Sequence, residues 1–145
     1  MLRLSLPAER ASVPRARHSV ADFARAAGLS EAQLDAVQLA VTEAAANVVV
    51  HAYPEGGGVI HLEAARVNSE LWVIVSDEGE GMRSGVSSPG LGQGLRLITQ
   101  SADAVTIANR SSGGTEVRMR FALPQCRGSV ASATSAAWSR FSTTR

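Results

Sequence analysis

The 145-residue chain contains no lysine, and all 14 of its basic side chains are arginine. A P-loop needs a lysine on the β- and γ-phosphates, so a Walker-type NTPase is excluded, and Schiff-base chemistry with it. Cysteine is nearly absent as well. Cys126 stands alone, which leaves no internal disulfide, no CxxC pair and no structural zinc site. Neither sign of charge dominates: 14 basic residues face 13 acidic ones, a net of +1. That balance gives no support to nucleic-acid binding. No apolar run approaches the ~18 residues of a membrane span, and the first residues lack the apolar core of a signal peptide. A soluble cytoplasmic protein is expected, with neither membrane nor nucleic acid as a direct partner. Apolar residues make up 45% of the chain, enough at this length for one two-layer core.

The remaining residues fall into ordered segments along the chain. Residues 2–6 alternate strictly, as a half-buried strand does. Pro7 and Pro14 punctuate the next stretch. Residues 15–27 carry Val20, Phe23, Ala24 and Ala27 at helical spacing, and Gly28 is placed to end that helix. Ser30 and Gln33 make a capping box for a second helix that should run to about Ala52, stopped by Pro54 and Gly56-Gly57-Gly58. Residues 59–67 alternate, residues 71–76 begin as an unbroken apolar run, and Asn68-Ser69-Glu70 joins them tightly, so an antiparallel hairpin is expected. Glycine, serine and acids dominate residues 77–94. A short helix over 95–100 and two strands over 104–108 and 115–123 complete a body of residues 1–124. Residues 125–145 carry three arginines and no acid, and their composition predicts a disordered tail, with Trp138 and Phe141 its only large apolar groups. The order predicts an α+β fold, a two-layer α/β sandwich whose helices lie on one face of a mixed, mostly antiparallel sheet.

Four places carry chemistry. From residue 36 to residue 50 the second helix is apolar almost all round, yet Glu43 and Asn47 sit in it four apart, on one face, and His51 continues the stripe. A carboxylate in such surroundings is costly unless paired, hydrated or protonated. The stripe reads either as a solvent-facing i,i+4 pair or as a cleft wall, with Glu43 a base and Asn47 an oxygen ligand for a hard cation. Asp77-Glu78-Gly79-Glu80-Gly81 follows the most apolar strand, and its glycines suit close backbone approach to a bound group. A calcium loop fails there, because its third and fifth ligands would be glycines. Gly90-Leu91-Gly92-Gln93-Gly94 runs into the third helix, where backbone N–H groups can meet an anion. It lacks the strand and spacing of a Rossmann fingerprint. Gly113-Gly114-Thr115 opens the last strand and by itself is a hairpin turn. The three histidines, His18, His51 and His61, have no metal-ligand spacing, and Cys126 has no activating neighbour beyond Arg127.

Taken in order, these motifs resemble the GHKL superfamily, and most closely its bacterial anti-sigma factor serine/threonine kinases. Thr42-Glu43-Ala44-Ala45-Ala46-Asn47, continued by His51-Ala52-Tyr53, matches the signature of that group. The resemblance spans about residues 2–123. It implies a Bergerat ATP-binding fold with ATP between sheet and helices. Asp77 would accept from the adenine amino group, with Thr115 supporting through water. Gly79, Gly81 and Met82 would pass under the base. Gly90, Gly92, Gly94 and Leu95 would belong to the phosphate cradle and lid. Asn47 would bind Mg²⁺, and Glu43 would take the proton from a serine or threonine hydroxyl. Arg83, the only cation between Gly81 and Gly90, is the candidate γ-phosphate contact. The implied partners are a sigma factor and a STAS-type anti-anti-sigma protein, and members of the group are often homodimers. A regulator that binds ATP but acts by contact alone, and an ATP hydrolase using Glu43 on water, are the rival readings.

Overall fold

The computed structural model describes residues 1–80 and 91–124. A five-stranded sheet is built from β1 (Leu2–Pro7), β2 (Val59–Val67), β3 (Glu70–Ser76), β4 (Ala104–Asn109) and β5 (Thr115–Ala122), in the order β1-β2-β3-β5-β4. Every pairing among these strands is antiparallel, so the mixed sheet expected from the sequence has no parallel pair. The reason is topological. The segment through α3 (Leu91–Ser101) carries β4 past the position beside β3, and β5 returns to fill that position between them.

The helices lie on one face. α1 (Ser12–Ala27) starts three residues earlier than the proline pattern predicts. Pro14 falls inside the first turn, where its missing N–H has no intrahelical partner to lose. Gly28 closes the helix, its N–H donating to the carbonyls of Ala24 and Arg25. α2 (Glu31–Asn47) opens on the expected capping box: Gln33 N–H donates to Ser30 Oγ at 3.3 Å, and Ser30 N–H donates to Gln33 Oε1 at 3.0 Å. Leu34, Val37, Ala40, Val41, Ala44 and Ala45 of α2 are buried, packed with α1, α3 and the sheet. The run of alanines lets neighbouring elements approach closely, which explains a helix apolar on most sides.

The sheet presents Ile60, Leu62, Ala64, Leu71, Val73, Val75, Val117, Met119 and Phe121 to these helices. β3 is central and buried on both faces, as its unbroken apolar run predicts. On the far face Trp72, Ile74, Ala65 and Val67 form a second, smaller cluster. Trp72 Nε1 donates to Glu70 Oε2 at 2.8 Å. Beside it, Arg118 pairs with Glu116 at 2.8 Å and Arg120 with Glu70 at 3.4 Å. Among the described residues no helix is long and apolar enough to cross a membrane.

Candidate nucleotide site

The site starts at the end of β3. Asp77 lies one residue beyond the last β3–β5 pair, Ser76 with Glu116, and is only 4% exposed. Its N–H donates to Thr115 O at 3.0 Å. Carboxylate oxygen Oδ1 accepts from Gly79 N–H at 2.9 Å and from Thr115 N–H at 3.3 Å. The other carboxylate oxygen accepts no hydrogen bond from the described residues. Two backbone donors fix one oxygen of this buried carboxylate, and a carboxylate has lone pairs for further hydrogen bonds. Asp77 is thus joined to its near neighbour Gly79 and to Thr115, 38 residues along the chain, which the fold brings to it.

Two glycines make this possible. Gly114 has φ +90°, and a Cβ there would fall on the Asp77 carbonyl. A Cβ at Gly79 would fall on the carbonyl of Ala52. The second contact ties the loop after β3 to the end of the second helix, because Glu80 N–H donates to Ala52 O at 3.1 Å.

That helix end departs from the expected form. The α-helix stops at Asn47, and Val48–Ala52 form a π-helical segment. Its wider i→i+5 turn breaks the four-residue spacing that would have kept His51 in the stripe of Glu43 and Asn47. Glu43 and Asn47 themselves lie one turn apart on α2, both half-buried. The carbonyl of Ala52, five residues beyond Asn47, touches the Asp77 loop, so one continuous helical wall connects the two motifs. Tyr53 locks the junction. Its hydroxyl donates to Val59 O at 2.8 Å and accepts from Glu78 N–H at 2.8 Å.

Gly92, Gly94 and Leu95 fall within the backbone of α3, which begins at Leu91. The sequence pattern places these glycines before the helix. They are instead part of its N-terminal turns, where the first N–H groups lack intrahelical acceptors. Gly81, Met82, Arg83 and Gly90 lie outside the described residues, as does the 125–145 tail with Cys126.

One residue at the site carries no motif signal. Arg110, in the turn between β4 and β5, donates from Nη1 to the carbonyl of Asp77 at 3.0 Å. Only the neighbouring Gly113-Gly114-Thr115 turn hints at it in the sequence. His61 lies elsewhere. It bonds Ser5 Oγ through Nδ1 at 3.1 Å, and its Nε2 stands 3.5 Å from Glu78 Oε1. These groups line a cavity of about 270 Å³ with Arg3, Leu4, Leu62 and Glu63. None of Glu43, Asn47, Asp77, Gly79 or Thr115 borders that cavity.

The sheet and the helical layer on one face have the form of the histidine kinase-like ATPase domain. The profile of that family matches residues 6–121, and the chain belongs to it. Within the family it is an anti-sigma type of GHKL protein. It is 30% identical over 116 residues to an anti-sigma F factor of Clostridium acetobutylicum, spanning 72% of this chain and 81% of that protein. It is 32% identical over 79 residues to the serine-protein kinase RsbW of Halalkalibacterium halodurans, spanning 54% of this chain and 48% of that one. A solved structure of RsbU and RsbW domains from Mycobacterium tuberculosis superposes with a TM-score of 0.65 at 20% identity. It covers 84% of this chain and 31% of the other, a likeness of fold.

Proposed function

We propose that the chain is an ATP-dependent anti-sigma regulator that phosphorylates a serine or threonine of an anti-anti-sigma protein. The carrying observation is Asp77, a buried carboxylate with one oxygen held by Gly79 and Thr115 and one left for an incoming N–H. An exocyclic amino group such as that of adenine is the complementary donor, and the carbonyl of guanine is not. The residue types along α2 fit the rest of the nucleotide. Asn47 offers a carbonyl oxygen that would hold Mg²⁺. Held there, the cation would supply charge neutralisation at the phosphates.

Glu43, one turn from Asn47, would accept the proton of a serine or threonine hydroxyl. In the transfer the hydroxyl oxygen forms a bond to the γ-phosphorus, the bond from that phosphorus to the β–γ bridging oxygen breaks, and ADP leaves with the electron pair. Positioning and charge neutralisation supply most of the rate. Gly90, Gly92 and Gly94, with Gly81, Met82, Leu95 and Arg83, are assigned to the phosphate side. The sigma factor and a STAS-type protein are the alternating partners, with the nucleotide biasing which of them binds. A cytoplasmic location and a homodimer belong to the same proposal.

Calorimetric titration with ATP, with and without Mg²⁺, tests the nucleotide site. Binding should require the intact carboxylate and weaken at least tenfold in Asp77→Asn, whose amide turns a donor toward the base. Unaltered binding in that variant would remove the reading.

A further inference from the structure

We infer that Arg110 is a positioning residue for the base-reading carboxylate, holding Asp77 in the orientation that selects a purine with an amino group, not a carbonyl, at position 6. The inference rests on the nucleotide reading above and adds to it a residue that no motif includes. Three parts of Asp77 are pinned by the β4–β5 turn and the first residue of β5. Its N–H is taken by Thr115 O and its Oδ1 by Thr115 N–H. Its carbonyl is taken by Arg110 Nη1 at 3.0 Å. Thr115 uses only its backbone, so within this turn Arg110 is the one side chain that a substitution can remove.

Arg110 is itself clamped. Its N–H donates to Gly114 O at 2.9 Å, and its carbonyl accepts from Gly113 N–H at 3.0 Å. The guanidinium is therefore presented from a closed turn and not from a loose strand end. Gly114 also lies close to the same Asp77 carbonyl, so that an added Cβ would collide with it. With Arg110 removed, that carbonyl keeps a glycine against it but loses its charged donor, and the peptide that sets the direction of the carboxylate gains freedom to rotate. The arginine donates to a backbone oxygen, so its role is exerted on the base end of the site. That separates it from a phosphate contact, which would act at the opposite end of the nucleotide.

The test compares the full-length protein with Arg110→Gln and Arg110→Lys, titrated with ATP, ADP, AMP and GTP. Arg110→Gln should bind ATP about tenfold more weakly, the scale of one charge-assisted hydrogen bond. The loss should be the same for ATP, ADP and AMP, the preference for ATP over GTP should narrow, and Arg110→Lys should recover part of both. In the nucleotide-free protein, the amide resonances of Gly79 and Thr115 should move in Arg110→Gln, because both donate to Asp77 Oδ1. That measurement reads the positioning without any ligand. Wild-type protein that ignores ATP while these amides still move would defeat the nucleotide reading and leave the Arg110–Asp77 linkage standing. Unmoved amides, an unchanged ATP-to-GTP ratio, or a loss that grows with each added phosphate would overturn the inference.

Discussion

Asp77 gathers its contacts from three segments of chain: its own loop through Gly79, the start of β5 through Thr115, and the β4–β5 turn through Arg110. Such a corner tolerates little change. Gly114→Ala places a Cβ against the Asp77 carbonyl at a backbone angle that L side chains avoid. It should destabilise the protein by about 1–3 kcal/mol, measured by urea denaturation, and lower nucleotide affinity as well. Tyr53→Phe strands Val59 O and Glu78 N–H at once. A loss of about 1–3 kcal/mol is expected from the unpaired groups. A Tyr53→Phe protein as stable as the parent would mean that water replaces both bonds. Asp77 and Gly79 stood out in the sequence as an acid and a glycine just beyond a strand end, whereas Thr115 read by itself as part of a hairpin turn and entered only through the resemblance. Arg110 did not stand out, since one arginine among 14 carries no signal until the fold sets it beside a carbonyl.

α2 and its π-helical extension form the wall on which the proposed chemistry stands. The capping box that starts the helix was readable from Ser30 and Gln33, because it is a local pattern with a local cause. Ser30→Ala should cost about 1 kcal/mol, seen as a lowered denaturation midpoint with unchanged slope. The switch to a π-helical turn after Asn47 was not readable. Val-Val-Val-His-Ala suits an α-helix as poorly as it suits a wider one, and the deciding contacts come from elsewhere. Ala52 must meet Glu80 N–H and Gly79, and Tyr53 must reach Val59 and Glu78. The start of α3 at Leu91 is a similar case. Two glycines in a first turn lower helix propensity, by about 1 kcal/mol each, yet packing of α3 on α2 outweighs that cost.

For the molecule as a whole, the proposed activity links nucleotide to stability. ATP at 100 times its dissociation constant should add about 2.7 kcal/mol to the native state. The resulting rise in Tm should fall to about half or less in Asp77→Asn, whose affinity is expected to be at least tenfold lower, and persist in Glu43→Gln. The same Glu43→Gln protein should retain nucleotide and lose phosphoryl transfer to its protein substrate. Undiminished transfer in Glu43→Gln would assign the proton to another group. Transfer that is absent even from the wild type, with ATP binding intact, would favour a regulator acting by contact alone. The far face of the sheet, where Trp72 and Ile74 lie among the Arg118–Glu116 and Arg120–Glu70 pairs, takes no part in these outcomes.

Element identity, strand alternation, the hairpin of β2 and β3 and the ordered set of acid and glycine motifs were carried by local chemistry. Periodicity, caps and breakers act over a few residues, so the chain states them without help from distant segments. Strand order, the absence of parallel pairs and the composition of the Asp77 corner depended on contacts between residues tens of positions apart. β5 had to insert between β3 and β4 before Thr115 and Arg110 could reach Asp77. The π-helical turn had to form against that corner before the wall bearing Glu43 and Asn47 could join it. No pattern in the chain specifies those meetings one by one. They result from burying a single core shared by the sheet and three helices, and the site is a consequence of where that burial brings the segments.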